Sequence, residues 1–359
     1  MSQRPVKKSV LVTGANGFIG SAVCRAFVRV GWRVYGIVRR PEAAYELSAA
    51  EVIPVQGSIS EDLSFLDSFL EEASTPPFNV VISCTEEIPF ATHFGHILAI
   101  LIKVGTHAKS HGVRPLVLMS SGCKDYGTTG RHGDAGLVAH TEKSPLNPPQ
   151  TLKERCTSAL EVFDHADLFD AAVIRPTPLF GYGGSYYGPL IEAMSRFLEK
   201  KVLDASDGPI RLPGHGNTII HGCHVDDCAE AYLALVLHAD RSQINGQCFN
   251  ISGYRYETLA EIYDAFATEY GISADRIVVT PDATEVDSEL QYLSGVIGFS
   301  QWVDSTKIRN LTGWTDTRML FSENLHAYTR AYEAISKAGD QGVSRIRDRY
   351  NRLMTAGIH

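Results

Sequence analysis

The chain has 359 residues, 44% of them hydrophobic and 21% charged, enough for one large α/β unit or two modest ones, each with its own core. A formal net charge of −8 excludes a general nucleic-acid-binding surface, because phosphate backbones select basic faces, and no apolar run approaches the roughly 20 residues that span a bilayer. The polar start MSQRPVKKSVLVTG runs straight into a strand rather than a secretory leader, and the seven scattered cysteines suit reduced thiols, so a cytoplasmic protein is expected.

In chain order, strands are predicted at Ser9–Thr13, Arg33–Val38, Val52–Gln56, Val80–Ser83, Leu116–Ser120 and Ala172–Arg175. Helical patterns lie between them at Ile19–Val30, Leu63–Glu72, His93–His111 and Leu152–Asp167. The alternation predicts an α/β fold with a doubly wound parallel sheet, its strands apolar throughout because both faces are covered. From Pro176 the pattern loosens, with Gly and Pro clustered at Gly181–Pro189 and Gly208–Gly216. A first domain over residues 1–175 and a smaller lobe over 176–359 are expected, forming a cleft above the C-terminal edge of the sheet. Residues 217–252, with the apolar helix Val225–His238, are expected to return to the first domain.

The strongest motif is SVLVTGANGFIG, Ser9–Gly20. A buried strand runs into a glycine turn, and the last glycines open a helix. Gly14 permits the tight turn, Gly17 lets a pyrophosphate approach the backbone, and Gly20 lets helix and strand pack closely. With Asn16, Phe18 and Ile19, these residues are expected to seat a dinucleotide on unpaired amides at the positive end of the helix dipole. At the end of the second strand an NAD site usually carries a carboxylate for the ribose hydroxyls; here Val38 stands there, followed by Arg39 and Arg40. Guanidinium groups match a 2′-phosphate, so NADP(H) is expected over NAD(H). Ser58 and Ile59, with Cys84 and Thr85, are expected along the adenine and ribose.

These segments, together with LVLMSS, VIRPTPLFGYG, HVDDCAEAYLAL, CFNISG and DSTKIRNLTGW, give a chain that resembles the extended short-chain dehydrogenase/reductases, the family of NAD-dependent epimerases and dehydratases. The resemblance implies a Rossmann sheet, a C-terminal substrate lobe, and a homodimer through His93–His111 and Leu152–Asp167. It also implies a Tyr-x-x-x-Lys pair and a Ser or Thr after the fifth strand, tyrosine exchanging a proton with the substrate while lysine lowers its pKa and bonds the nicotinamide ribose. Lys153 matches the lysine, because Arg175-Pro176 then falls at the family's usual spacing downstream, and Pro176 is expected among the cofactor contacts. The tyrosine position holds Pro149 and the serine position Gly122, so both oxygen-bearing members are missing. Ser121, Tyr126 and His140 are the candidate replacements, with Tyr126 also matching a tyrosine that many relatives carry besides the catalytic one.

In the lobe, Tyr186, Tyr187, Arg211 and His215 fall in loops of the kind that carry binding groups. His221, Cys223, His224 and Cys228 lack the spacing of a structural zinc pair, and no metal is expected. The sequence supports an NADP(H)-dependent oxidoreductase acting on a small carbonyl or alcohol. The alternatives are an isomerase, epimerase or cyclase that keeps the cofactor without net redox, and an NADP(H)-binding sensor without catalysis.

Overall fold

The structure is a computed structural model that describes residues 8–183, 187–203, 208–287, 289–293 and 297–355. Its centre is a sheet of seven parallel strands: β1 (Ser9–Thr13), β2 (Arg33–Val38), β3 (Ile53–Gln56), β4 (Val80–Ser83), β5 (Leu116–Ser120), β6 (Asp170–Pro176) and β7 (Gln247–Ile251). In space they run β3-β2-β1-β4-β5-β6-β7. The order reverses between β1 and β4, the switch point where open α/β sheets bind ligands.

Alternate side chains of each strand feed two cores. Val10, Val12, Ile82 and Leu118 pack under α1 (Phe18–Arg29) and α7 (Val225–Leu237). Leu11, Ile37, Val81 and Val117 pack under α3 (Ser64–Glu71) and α4 (Phe90–Ser110). Burial on both faces explains why the strands read as unbroken apolar runs. The chain leaves the sheet after β6, returns through α7, which lies against α1, and ends the sheet with β7.

Two predicted helices are redrawn. The helix expected from His93 starts at Phe90, directly after Pro89, which has no amide hydrogen to give and caps the first turn. The stretch Leu152–Asp167 is not one helix: α5 covers Lys153–Leu160 and its end tightens into a 3₁₀ segment, Glu161–His165, a common way for a helix to close. The Gly- and Pro-rich region also holds a helix the pattern concealed, α6 (Tyr187–Leu203). Leu190, Met194 and Phe197 of α6 build a third core with Leu259, Ile262 and Phe266 of α8 (Leu259–Glu269) and with Phe321. A capping box starts α8: Thr258 accepts from the Glu261 amide, and Glu261 accepts from that of Thr258. Among the described residues no helix is long and apolar enough to cross a membrane.

Candidate active site

A cleft of about 2250 Å³ opens above the C-terminal ends of the strands, between the sheet and the lobe. Its wall at β1 is the glycine turn. Gly14 has φ +68°, and a Cβ there would stand 2.6 Å from the Thr85 methyl and 2.8 Å from the Cys84 carbonyl. A Cβ on Gly20 would come 2.1 Å from the Gly14 carbonyl, so only glycine lets α1 sit this close to β1. Gly17 caps α1 without any side-chain bond, leaving first-turn amides to face the cleft. This bare cradle fits a pyrophosphate. Gly14, Asn16, Gly17, Phe18 and Ile19 line the cleft, and Gly20 packs beneath them.

The remaining predicted dinucleotide contacts line the same cleft. Arg39, Arg40, Ser58, Ile59, Cys84, Thr85, Lys153 and Pro176 all line it. Burial pushes the Cys84 thiol up to about 12, and it accepts weakly from Ser120 at 3.7 Å, so it is an inert wall group. His93 of α4, which sequence reasoning missed, reaches the cleft and hydrogen-bonds Thr85 at 3.0 Å. Burial lowers its pKa and favours the neutral ring. A lone histidine on an apolar helical face gave no signal of this.

At the other end of the cleft, Lys153 is the first residue of α5 and its exposed side chain lines the opening. Pro149 and Gly122 lie on the same lining, at the positions where the resemblance implies tyrosine and serine. Ser121 is half-buried there and donates to Asp125 Oδ2 at 2.6 Å. Arg155, two residues beyond Lys153, packs its guanidinium 3.3 Å from where a Gly122 Cβ would stand, and donates to Asp125 Oδ1 at 2.6 Å. Neither Arg155 nor Asp125 was anticipated; a carboxylate four residues after Ser121, within SSGCKDYG, was the available hint.

Two proposed replacements for the tyrosine are corrected. Tyr126 does not line the cleft: it is 2% exposed, donates to Asn250 Oδ1 at 2.8 Å and accepts from Arg175 at 3.1 Å. Burial drives its pKa up, so the phenol holds its proton inside a closed network. His140 stacks on Tyr126 with ring centres 5.4 Å apart and likewise lies off the cleft. Desolvation lowers its pKa.

Of the lobe candidates, Tyr187 is buried at the start of α6 and lines the cleft, while Tyr186 lies outside the described residues. Arg211 and His215 are corrected. Arg211 points outward, exposed, with Glu285 at 3.7 Å. His215 lines a separate small pocket with Arg131 and Asp134. The His/Cys group serves the framework: His221 donates to the Gly253 carbonyl and accepts from the Val303 amide, and His224 accepts from the Asp226 amide. The two aspartates that follow tie segments together, Asp226 to Arg25 and Tyr182, Asp227 to Thr317 and Arg318.

Comparison with known proteins agrees with this architecture. The trifunctional UDP-glucose 4,6-dehydratase/UDP-4-keto-6-deoxy-D-glucose 3,5-epimerase/UDP-4-keto-L-rhamnose-reductase of Arabidopsis thaliana is 22% identical over 333 residues, 86% of this chain; the chain spans 45% of that protein's length. The dTDP-glucose 4,6-dehydratase of Bacillus anthracis, in complex with NAD, superposes with a TM-score of 0.65 at 19% identity, covering 92% of this chain and 98% of that one. The UDP-glucose 4-epimerase of Bifidobacterium longum, with NAD+ and UDP, gives 0.63 at 16% identity, covering 94% and 100%. The family profile described as NAD dependent epimerase/dehydratase matches residues 10–252. With the glycine cradle, the switch-point cleft and this match in hand, the chain belongs to the NAD-dependent epimerase/dehydratase family.

Proposed function

We propose that the protein is an NADP(H)-dependent oxidoreductase for a small carbonyl or alcohol substrate, working without a catalytic tyrosine. The observation that carries the cofactor choice is the pair Arg39 and Arg40 on the cleft wall, directly after Val38 at the end of β2, where a carboxylate would serve NAD. The nicotinamide supplies hydride exchange when bound. Lys153 is proposed to hold the ribose, and Ser121, oriented by Asp125, to bond the substrate oxygen. Two copies are proposed to associate through α4 and α5, which pack side by side and leave Leu98 and Ile102 partly exposed.

Calorimetric titration tests the reading. NADPH is expected to bind at least about tenfold tighter than NADH, and Arg39→Ala with Arg40→Ala to weaken NADPH by about one to two decades while leaving NADH nearly unchanged. Equal losses for both nucleotides would remove the basis for the assignment. A second reading is favoured by the dehydratase and epimerase among the similar structures, both with NAD bound. In it the nucleotide is retained through a cycle without net redox, and turnover leaves the nicotinamide absorbance unchanged.

A further inference from the structure

We propose that the substrate is an uncharged, largely apolar carbonyl or hydroxy compound, and neither a sugar nucleotide nor another phosphate ester. The inference rests on the oxidoreductase reading above and adds the substrate's chemical class.

The wall that the lobe contributes decides the matter. Leu190, Ile219, Ile220, Leu259, Ile262 and Ile297 line it. A nucleoside diphosphate brings two adjacent negative charges, and buried charges are paired, most often with arginine or lysine. Among the described residues, the lobe offers the cleft a single cation, Arg345 of the C-terminal helix α11 (Gln341–Thr355). It is already committed to the far end, where it donates to the Asn16 carbonyl at 3.3 Å. Its acidic counterpart, Asp340, caps the same helix through the Gly342 amide. The interior positions 184–186, 204–207, 288 and 294–296 contain no lysine or arginine in the sequence, and the side chains of Arg349 and Arg352 on α11 lie outside the description.

Two of the lobe's other cations lie off the cleft: Arg211 pairs with Glu285, and Lys200 with Glu289 at 2.8 Å. His221 is buried and neutral, burial pushing its pKa down to about 4. On the facing wall stand Glu87 and Glu86, the latter 3.8 Å from the Arg155 guanidinium. Arg155 is bound by Asp125, Arg25 is paired with Asp226 at 2.8 Å, and Lys124 lies over the Phe299 ring at 4.7 Å. Apolar walls with few polar groups are what a small uncharged ligand requires.

The test uses the full chain, with and without saturating NADPH. Nile red, an uncharged dye that brightens in apolar surroundings, reports on the chamber; acetophenone, UDP and UDP-glucose are the competitors. Nile red is expected to bind and acetophenone to displace it, whereas millimolar UDP and UDP-glucose leave its emission unchanged and give no calorimetric heat. Ile220→Arg, at a partly exposed strand position, is expected to weaken dye binding by about tenfold or more, and Ile220→Leu to keep it. Binding of UDP or UDP-glucose in the micromolar range, or absence of dye uptake, would overturn the proposal even with NADPH binding intact. Failure of the NADPH titration alone would instead fall on the oxidoreductase reading, the dye and UDP arms still deciding the chamber's chemistry.

Discussion

Asp125 has no exposed surface and stands between two guanidinium groups, Arg155 at 2.6 Å and Arg175 at 3.2 Å, while also accepting from Ser121. Such a carboxylate is hard to remove, because the cations it leaves behind remain buried. Asp125→Ala is expected to lower stability by about 3–5 kcal/mol, read as a fall in the urea midpoint, far more than an exposed ion pair would cost. Arg175 also lies over the Tyr126 ring, 5.1 Å from its centre, and bonds its oxygen. Here the sequence misleads at the level of single residues. SSGCKDYG presents a phenol and a hydroxyl at neighbouring positions, but the 3₁₀ turn Cys123–Tyr126 sends the phenol inward and leaves Ser121 at the cleft. Spacing says which groups are near one another; it does not say which way they face.

Elements are a different matter. The strand-glycine-helix unit is local, so its sequence and its geometry carry the same information. Gly20→Ala would drive a methyl into the Gly14 carbonyl, and the relief is to push α1 off β1. The expected result is at least a tenfold loss of NADPH affinity by calorimetry, roughly the effect of misplacing the first-turn amides, with the far-ultraviolet circular dichroism retained. The C-terminal helix is not local in this sense. Val343 anchors α11 in the lobe core, and Arg345 then reaches the glycine turn 329 residues earlier. Arg345→Ala is expected to raise the NADPH dissociation constant by about three- to tenfold, a charge-assisted contact at a solvent-exposed position. An unchanged constant would show that the contact does not reach the nucleotide. Nothing in the polar, basic sequence of α11 points toward the cofactor turn.

For the whole molecule, the junction of sheet and lobe sets the response to acid. His221 is 4% exposed and joins Gly253 to Val303, holding the strand end after β7 against the C-terminal segment. Burial lowers its pKa from 6.5 to about 4. The unfolded chain therefore binds a proton that the folded one refuses as pH falls below 6.5. Its contribution is fully present above that value and is lost progressively toward pH 4, about 3 kcal/mol in all. Urea midpoints are expected to drop between neutral pH and about pH 4.5, and His221→Asn to flatten that part of the profile. A wild-type slope retained in the variant would assign the acid sensitivity to other groups.

The sequence by itself determined six of the seven strands, most of them to within a residue, and the glycine turn after β1, because apolar runs, glycine punctuation and helix starts are short-range properties that the chain cannot satisfy in another way; β7 (Gln247–Ile251) is not among the predicted strands. Tertiary structure alone decided which groups face the cleft away from the glycine turn. It buried Tyr126, stacked His140 behind it, turned Arg211 outward and brought Arg155, His93 and Arg345 to the lining. The physical reason is that a side chain's direction and partners depend on groups far away in sequence, such as Asn250 for Tyr126 and Asp125 for Arg155, and no local pattern encodes those meetings.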